Sequence, residues 1–358
     1  MQCCGTCFGD NFLRVQIESM SETKGSCPYC NAQHVDLIDP VELRDYFEFL
    51  IGIYSRDDNG EKLINLLHAD WALFPDIDDI QSTELLATIL DDRQIIGQRF
   101  CPSMPDDGSD LERWQLFRDE LKHQNRFFPK LVPDLDRLKE LLDSYLCADP
   151  SCLPGILYRA RINNSETPYL QCDMGRPPKV ITMHGRANPA GIPYLYLASD
   201  QNTAISEIRP HTSETISVAS FQLNTELTII DLRNPRKTIS PFSLSDEHDV
   251  SLLRRDINFL CQLGQELSRP VLPKSAHLEY LPSQYLCEFI KDCGFDGVMY
   301  RSSVGAGTNF ALFAKDLEQA DDVKQYIITR VSVEIEEFQV ISIPSSVDII
   351  GERDLNSL

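Results

Sequence analysis

The spacing of apolar residues changes near the middle of the chain. Between residues 40 and 148, apolar side chains recur mostly every three or four positions, which places them on one face of a helix. This half is therefore predicted to be helical. The helix that opens at Asp39-Pro40 has an N-cap followed by proline at its first position. Its apolar face is formed by Leu43, Phe47, Leu50, Ile51 and Tyr54.

Asp58-Asn59-Gly60 interrupts this pattern, and further helices are predicted over 61–67, 83–89, 111–123 and 135–146. From residue 155 onward, short apolar runs bounded by turns predict strands. These strands span 156–162, 193–198, 215–223, 227–232, 297–300 and 309–313, with helices over 202–208, 249–267 and 283–292. Strands and helices do not alternate regularly, so the predicted fold class is α+β.

The chain of 358 residues is long enough for two domains and strongly acidic, with 33 basic and 55 acidic residues and a net charge of −22. Such a surface repels phosphate backbones, so broad nucleic-acid binding is not expected. The first ten residues lack the pattern of a signal peptide, and no apolar run approaches the roughly 20 residues of a membrane span. We expect a cytoplasmic protein whose 12 cysteines are thiols or metal ligands.

Two closely spaced cysteine pairs lie in the polar segment 1–36. Cys4 and Cys7 form one CxxC pair, and Cys27 and Cys30 form the other. Each CxxC turn can direct two thiolates at one ion, which favours a tetrahedral zinc knuckle over two incidental pairs. Four protein ligands leave no open position, so the predicted zinc is structural. Cys3 and His34 are the alternative ligands.

The second half carries five short elements in a fixed order. Neither a dinucleotide-binding G-x-G-x-x-G motif nor a P-loop is present. The elements are Tyr158-Arg159, Gly185-Arg186, Tyr196-Leu197-Ala198, Ala204-x-x-Glu207 and Asp296-Gly297-x-x-Tyr300-x-Ser302. Together they resemble the RES-domain family over roughly residues 155–316. Two features depart from the family pattern: Ala187 stands where an aromatic residue is usual, and Ser303 doubles the serine.

The resemblance implies a fold like that of the ADP-ribosyltransferases, with NAD as substrate and cleavage of its nicotinamide–ribose bond. Phosphorolysis and hydrolysis are both open, as is transfer of ADP-ribose to a protein. Many members of the family are toxins, so the resemblance also implies a toxin or defence effector, controlled by an antitoxin or another regulatory protein.

Each candidate residue has an ordinary structural alternative. Arg159 could clamp a diphosphate, or it could simply face solvent at the end of its strand. Arg186 could also contact a phosphate, and its Gly/Pro-rich loop places it slightly better for such a role. Glu207 could stabilise a ribosyl cation, or it could pair with Arg209. The resemblance places Tyr196 in the pocket wall. It also assigns Ser302, or Ser303 in its place, to hold nicotinamide.

The helical half resembles the HEPN domains that occur next to RES domains, through its cysteine pairs and residues 124–129. Arg118 and His123 match the R-x4-H pattern of HEPN ribonucleases, which leaves RNA cleavage as an alternative function, although a surface arginine and histidine on a charged amphipathic helix explain the pattern better. The predicted division is a zinc knuckle (1–36), a helical HEPN-like domain (37–150), a RES domain (151–330) and a C-terminal extension (331–358). The helical domain is expected to regulate or target the RES domain.

Overall fold

The computed structural model describes residues 1–104, 108–150, 153–164, 167–223, 227–313 and 320–332. Residues 333–358 of the predicted C-terminal extension (331–358) lie outside these ranges. In the first half the helices are α1 (Asn11–Met20), α2 (Arg44–Ile51), α3 (Leu63–Trp71), α4 (Asp79–Leu90), α5 (Ser109–His123) and α6 (Leu135–Leu141). The strands of this half are β1 (Thr23–Gly25), β2 (Val35–Leu37), β3 (Tyr54–Lys62) and β4 (Arg99–Pro102).

The second half contains most of the sheet structure. Its strands are β5 (Ile156–Ile162), β6 (Leu195–Ala198), β7 (Thr215–Gln222), β8 (Ile229–Asp231), β9 (Gly297–Arg301), β10 (Thr308–Leu312) and β11 (Asp322–Ile327). Its helices are α7 (Gln201–Glu207), α8 (Pro235–Thr238), α9 (Glu247–Ser268), α10 (Ala276–Glu279) and α11 (Leu281–Asp292). The α+β prediction is confirmed. No described helix has the length and apolar character that a membrane crossing requires.

The helical prediction for residues 40–148 is wrong at one hairpin. Strands β3 and β4 pair antiparallel, and Tyr54, which was predicted to end a helix, opens β3 instead. The Tyr54 hydroxyl accepts a hydrogen bond from Trp71 Nε1 at 3.0 Å and donates one to Asp70 Oδ2 at 2.8 Å. These tertiary contacts override the helical spacing. The predicted break at Asp58-Asn59-Gly60 falls where the β3–β4 register shifts between Arg56 and Glu61.

The seven-stranded sheet has the order β11-β7-β5-β6-β10-β9-β8, and only the β8–β9 pair is parallel. Strands β5 and β6 are joined by one residue pair, Tyr158 opposite Ala198. Helix α7 packs against both strands, and its Ala204 lies in the apolar cluster that contains Ala160 and Ala198. The short ladder and the small residues together leave room beside this helix for a cavity.

The two halves share one apolar core. Phe47 of α2 packs against Phe242 from the second half, with ring centroids 5.3 Å apart. Trp114 of α5 meets Phe259 of α9 at 6.0 Å, and Phe117 of the same helix meets Tyr285 of α11 at 4.8 Å. The helical half is therefore fixed directly on the helices that border the sheet.

Candidate functional site

A cavity of about 260 Å³ lies between α7 and the centre of the sheet. Three of the five predicted site residues line it: Arg159 from β5, Tyr196 from β6 and Glu207 from the end of α7. Tyr158, Tyr300 and Asn309 add further polar groups to a wall that is otherwise apolar. Cavities of this kind, with a few converging polar groups, are the usual location of small-molecule sites.

Helix α7 places Glu207 at the rim of the cavity. Asp200 caps the helix by accepting a hydrogen bond from the Thr203 backbone at 2.8 Å. One oxygen of Glu207, Oε1, accepts hydrogen bonds of 2.6 Å from Ser302 Oγ and of 2.6 Å from Asn309 Nδ2. Among the described residues Oε2 has no hydrogen-bond partner, and Glu207 forms no ion pair with Arg209. The carboxylate is thus fixed through one oxygen and open to a ligand through the other.

The loop that follows β9 orients Ser302. Its Oγ accepts hydrogen bonds from the backbone of Val304 at 3.2 Å and of Gly305 at 2.9 Å. With both contacts occupying its lone pairs, the hydroxyl proton is directed to Glu207. The Ser303 side chain forms no hydrogen bond to any described residue, so the geometry favours Ser302 of the two serines.

Arg159 is largely enclosed by the cavity wall. Burial, followed by the nearby charge of Arg161, lowers the pKa of Arg159 to about 9. Its Nη1 atom is buried and has no hydrogen-bond partner within the described chain. A buried guanidinium nitrogen without a partner is costly, and an anionic or carbonyl oxygen of a ligand would satisfy it.

The loop before β6 holds the ring of Tyr196 in place. The Tyr196 hydroxyl donates to Asn188 Oδ1 at 2.7 Å and accepts from the Ala187 backbone at 3.0 Å. A side chain on Gly185 would come within 2.6 Å of that hydroxyl, which explains a glycine at this position. Ala187 itself is fully buried and is not among the residues that line the cavity.

Arg186 lies outside the cavity wall. Its Nη1 donates to the Arg269 carbonyl oxygen at 2.6 Å, and its guanidinium carbon lies 5.2 Å from the centroid of the Tyr280 ring. These contacts tie the loop that holds Tyr196 to the end of α9. To reach a ligand in the cavity, Arg186 would have to give them up.

Sequence reasoning assigned no site role to Asn309 or to Tyr300, although Tyr300 belongs to the element that ends at Ser302. Both are buried, at 6% and 4% exposure, and they stand opposite each other on β10 and β9. Asn309 is a polar residue within the apolar strand Thr308–Leu312, and this was the available signal, because a buried amide needs a partner. Burial also raises the pKa of Tyr300 well above its ordinary value, so its hydroxyl keeps its proton.

The four predicted metal ligands come together in the N-terminal segment of the chain. Ligand atoms of Cys4, Cys7, Cys27 and Cys30 lie within 4.8 Å of one another. Cys4 Sγ is 3.5 Å from Cys30 Sγ, and Cys7 Sγ is 3.4 Å from Cys27 Sγ. A zinc ion with Zn–S bonds of about 2.3 Å sets its sulfurs about 3.8 Å apart, so the donor set fits a metal of this kind.

The arginine of the R-x4-H pattern on α5 has an acidic partner on α9. Arg118 Nε lies 2.9 Å from Glu266 Oε1 of α9, and the Glu266 side chain is fully buried. Lys122, one turn further along α5, lies 2.8 Å from Glu279 Oε2. Arg118 therefore helps to fix α5 on α9, and ribonuclease action by Arg118 and His123 stays an untested prediction.

Comparison with known proteins identifies the second half of the chain. A family model described as "RES domain" matches residues 156–339, more than half of the sequence. The match begins at β5 and continues beyond residue 316. A solved structure, the MbcT–MbcA toxin–antitoxin complex of M. tuberculosis, aligns at 12% identity with a TM-score of 0.30. The alignment covers 53% of this chain and 92% of the other. None of the curated proteins matches the sequence.

Proposed function

The chain belongs to the RES domain family, and on that basis we propose that its second half consumes NAD by breaking the bond between nicotinamide and ribose. The observation that carries the proposal is the Glu207 carboxylate, held through Oε1 by Ser302 and Asn309 at the rim of the cavity. The cavity also holds the buried Nη1 of Arg159, which has no protein partner among the described residues. A cavity lined by both a carboxylate and a guanidinium nitrogen without a partner suits a substrate that develops positive charge at one atom and carries an anionic group at another.

The chemistry follows from the charge changes at the bond that breaks. In NAD the ring nitrogen of nicotinamide is cationic. As its bond to C1′ of ribose breaks, the electron pair stays on nitrogen and nicotinamide leaves as a neutral molecule. Positive charge then develops on C1′ and the ribose ring oxygen. Glu207 stabilises that charge through its open Oε2, because an ionised carboxylate acts most strongly where charge appears only in the transition state.

Ser302 and Asn309 position this carboxylate. By donating to the same oxygen, they occupy Oε1 and leave Oε2 as the oxygen that can meet a ligand. This role for Ser302 differs from the nicotinamide contact that the family resemblance implies. A fixed carboxylate needs little reorganisation when the positive charge develops.

Arg159 and Tyr196 contribute binding. Arg159 would contact a substrate phosphate through Nη1, where the enclosed position makes a charge-assisted hydrogen bond strong. Tyr196 presents a fixed ring for stacking. Arg186 anchors the loop that holds Tyr196 by donating to the Arg269 carbonyl oxygen. We propose a direct phosphate contact for Arg186 only if it moves away from Arg269.

The acceptor distinguishes three variants of the proposal. Water at C1′ gives ADP-ribose and a proton, phosphate gives a phosphorylated ADP-ribose, and a protein nucleophile gives a modified protein. Purified protein is incubated with NAD with and without phosphate, and the products are separated chromatographically. Nicotinamide release supports the proposal, and the second product identifies the acceptor. RNA fragments with 2′,3′-cyclic phosphate ends, without nicotinamide release, would instead support the ribonuclease alternative.

Loss of NAD harms the cell in which it occurs, so we propose a toxin or defence effector under the control of an antitoxin or another regulatory protein. The helical half is the candidate for this control because it packs on α9 and α11, two helices of the RES segment. The domain boundaries at residues 36, 150 and 330 belong to this proposal. So does a structural zinc ion held by the four cysteines.

A further inference from the structure

A second concave surface meets the site cavity at Ser302. It is a groove of about 830 Å³ between the loop after β8, helix α9 and the end of β9. Ser302 lines this groove, and its hydroxyl contacts Glu207 of the cavity. The two spaces therefore adjoin at the Ser302–Glu207 hydrogen bond, although no described residue lines both the cavity and the groove.

The groove is basic on a chain that is strongly acidic. Within the described part of the chain, its lining contains no aspartate or glutamate, although the chain carries a net charge of −22. It does contain four arginines: Arg233, Arg236, Arg269 and Arg301. A concave surface lined by one sign of charge concentrates the opposite charge, so this groove favours an anion.

Two of these arginines are neutralised by carboxylates outside the groove. Arg233 binds Asp231 through two hydrogen bonds of 3.0 and 2.7 Å, and Arg269 contacts Glu279. The other two contact only neutral groups in the described structure. Arg236 donates to backbone carbonyls and to Asn258, and Arg301 Nε donates to the Arg233 carbonyl oxygen at 2.6 Å. Their positive charges therefore remain available to a ligand.

The helical half takes part in building this groove. Arg236 is held by the carbonyl oxygens of Ala69 and Asp70 in α3, and Leu111 of α5 forms part of the wall. Arg118 of α5 also neutralises the buried Glu266, which lies one turn from Arg269. Without the helical half, Arg236 would lose two of its contacts, and Glu266 would lose Arg118, the cation nearest to it.

We propose that this groove is a binding site for phosphate groups, built jointly by the helical half and the RES segment. A cavity of about 260 Å³ is smaller than the roughly 300–1,000 Å³ of pockets that enclose a drug-sized ligand, so it takes only part of a dinucleotide. Two sources of phosphate fit the groove: the part of NAD that extends past Ser302, or free phosphate that approaches the reacting ribose. The choice of these two sources rests on the proposed function. The preference of the groove for anions rests on its arginines alone and is independent of that function.

The test uses full-length protein and two probes, ADP-ribose and inorganic phosphate, in calorimetric titrations. Arg301→Gln removes the exposed charge, and Arg56→Gln is the matched control on the exposed part of the β3–β4 hairpin. Gln265→Glu adds a negative charge to the groove at an exposed position, and glutamate has nearly the same shape as glutamine. Gln94→Glu is its control, because it adds the same charge at an exposed position outside the groove. Thermal unfolding verifies that each variant is folded.

We expect Arg301→Gln and Gln265→Glu each to weaken binding of at least one probe by about tenfold, more at low salt, while both controls bind as the wild type does. An effect on ADP-ribose alone identifies the diphosphate of the dinucleotide, and an effect on free phosphate identifies an acceptor site. In assays of nicotinamide release, the same variants should raise the KM for NAD, or the KM for phosphate if free phosphate is the ligand, with little change in kcat. Folded groove variants that bind both probes as tightly as the wild type overturn the phosphate site, whether or not nicotinamide is released. A wild type that releases no nicotinamide overturns the proposed function and leaves the binding result standing.

Discussion

Ser302 Oγ donates a 2.6 Å hydrogen bond to Glu207 Oε1 across 95 positions of sequence. The loop after β9 and the end of α7 meet only because β6 and β10 are neighbours in the sheet. The contact joins two of the residues that the RES pattern singles out. It supports the proposal that the serine acts through the glutamate, since the hydroxyl donates to the carboxylate.

Ser302→Ala should therefore lower kcat by about tenfold, the usual scale for losing one hydrogen bond that positions a reacting group. Ser303→Ala is the matched control and should leave kcat unchanged, because its side chain has no hydrogen bond to a described residue. The readout is initial-rate kinetics of nicotinamide release. If Ser302 works by positioning Glu207, then adding Ser302→Ala to Glu207→Gln costs little more. Full additivity in the double variant would contradict a positioning role.

Arg159→Gln should raise the KM for NAD by at least about tenfold without lowering the melting temperature. Burial lowers the pKa of Arg159 to about 9, so the group is charged at neutral pH and its enclosure disfavours the charged form in the folded protein. Removing the charge relieves that cost and removes the phosphate contact. Kinetics and thermal unfolding measure the two effects, with Arg330→Gln as an exposed control. A variant that melts much earlier yet binds NAD normally would show that Arg159 is a structural residue.

The sequence predicted the sheet of the second half better than the first half of the chain. Strand β5 has the predicted bounds, and it pairs with β7 along its whole length and with β6 at Tyr158. Strand β11 was missed because it lies at the edge of the sheet, where Lys324 and Gln325 are exposed. Helix α1 was missed because a polar, cysteine-rich segment was interpreted as a knuckle alone. The apolar strand around Asn309 signals that its amide needs a partner, but only the β6–β10 pairing shows that this partner is Glu207.

The cysteine cluster should hold one zinc ion per chain. Cys27→Ser removes one of four ligands and should abolish stoichiometric zinc, with a marked loss of thermal stability. Cys101→Ser is the control, because Cys101 lies outside the cluster. Elemental analysis of protein purified without added metal gives the stoichiometry. A wild-type protein that is folded and metal-free would contradict the assignment.

The Arg118–Glu266 pair should be a main link between the two halves. Arg118→Gln leaves the fully buried Glu266 without its closest cation and should lower the free energy of unfolding by about 3 kcal/mol. His123→Ala, on the same helix but exposed, should change it by less than about 0.5 kcal/mol. Equilibrium denaturation in urea measures both.

The same histidine variant tests where the activity lies. If His123→Ala abolishes the toxicity of the protein in cells while Glu207→Gln leaves that toxicity intact, the activity resides in the helical half instead.

The central claim is that Glu207 stabilises the ribosyl cation formed from NAD. The most direct measurement is the rate of nicotinamide release by purified protein, wild type against Glu207→Gln, with Glu288→Gln as an exposed control on α11. We expect release by the wild type and the control, and a kcat at least about a hundredfold lower for Glu207→Gln, because its charge acts chiefly in the transition state. Equal rates for wild type and Glu207→Gln, or no nicotinamide from the wild type with either water or phosphate as acceptor, would contradict the claim.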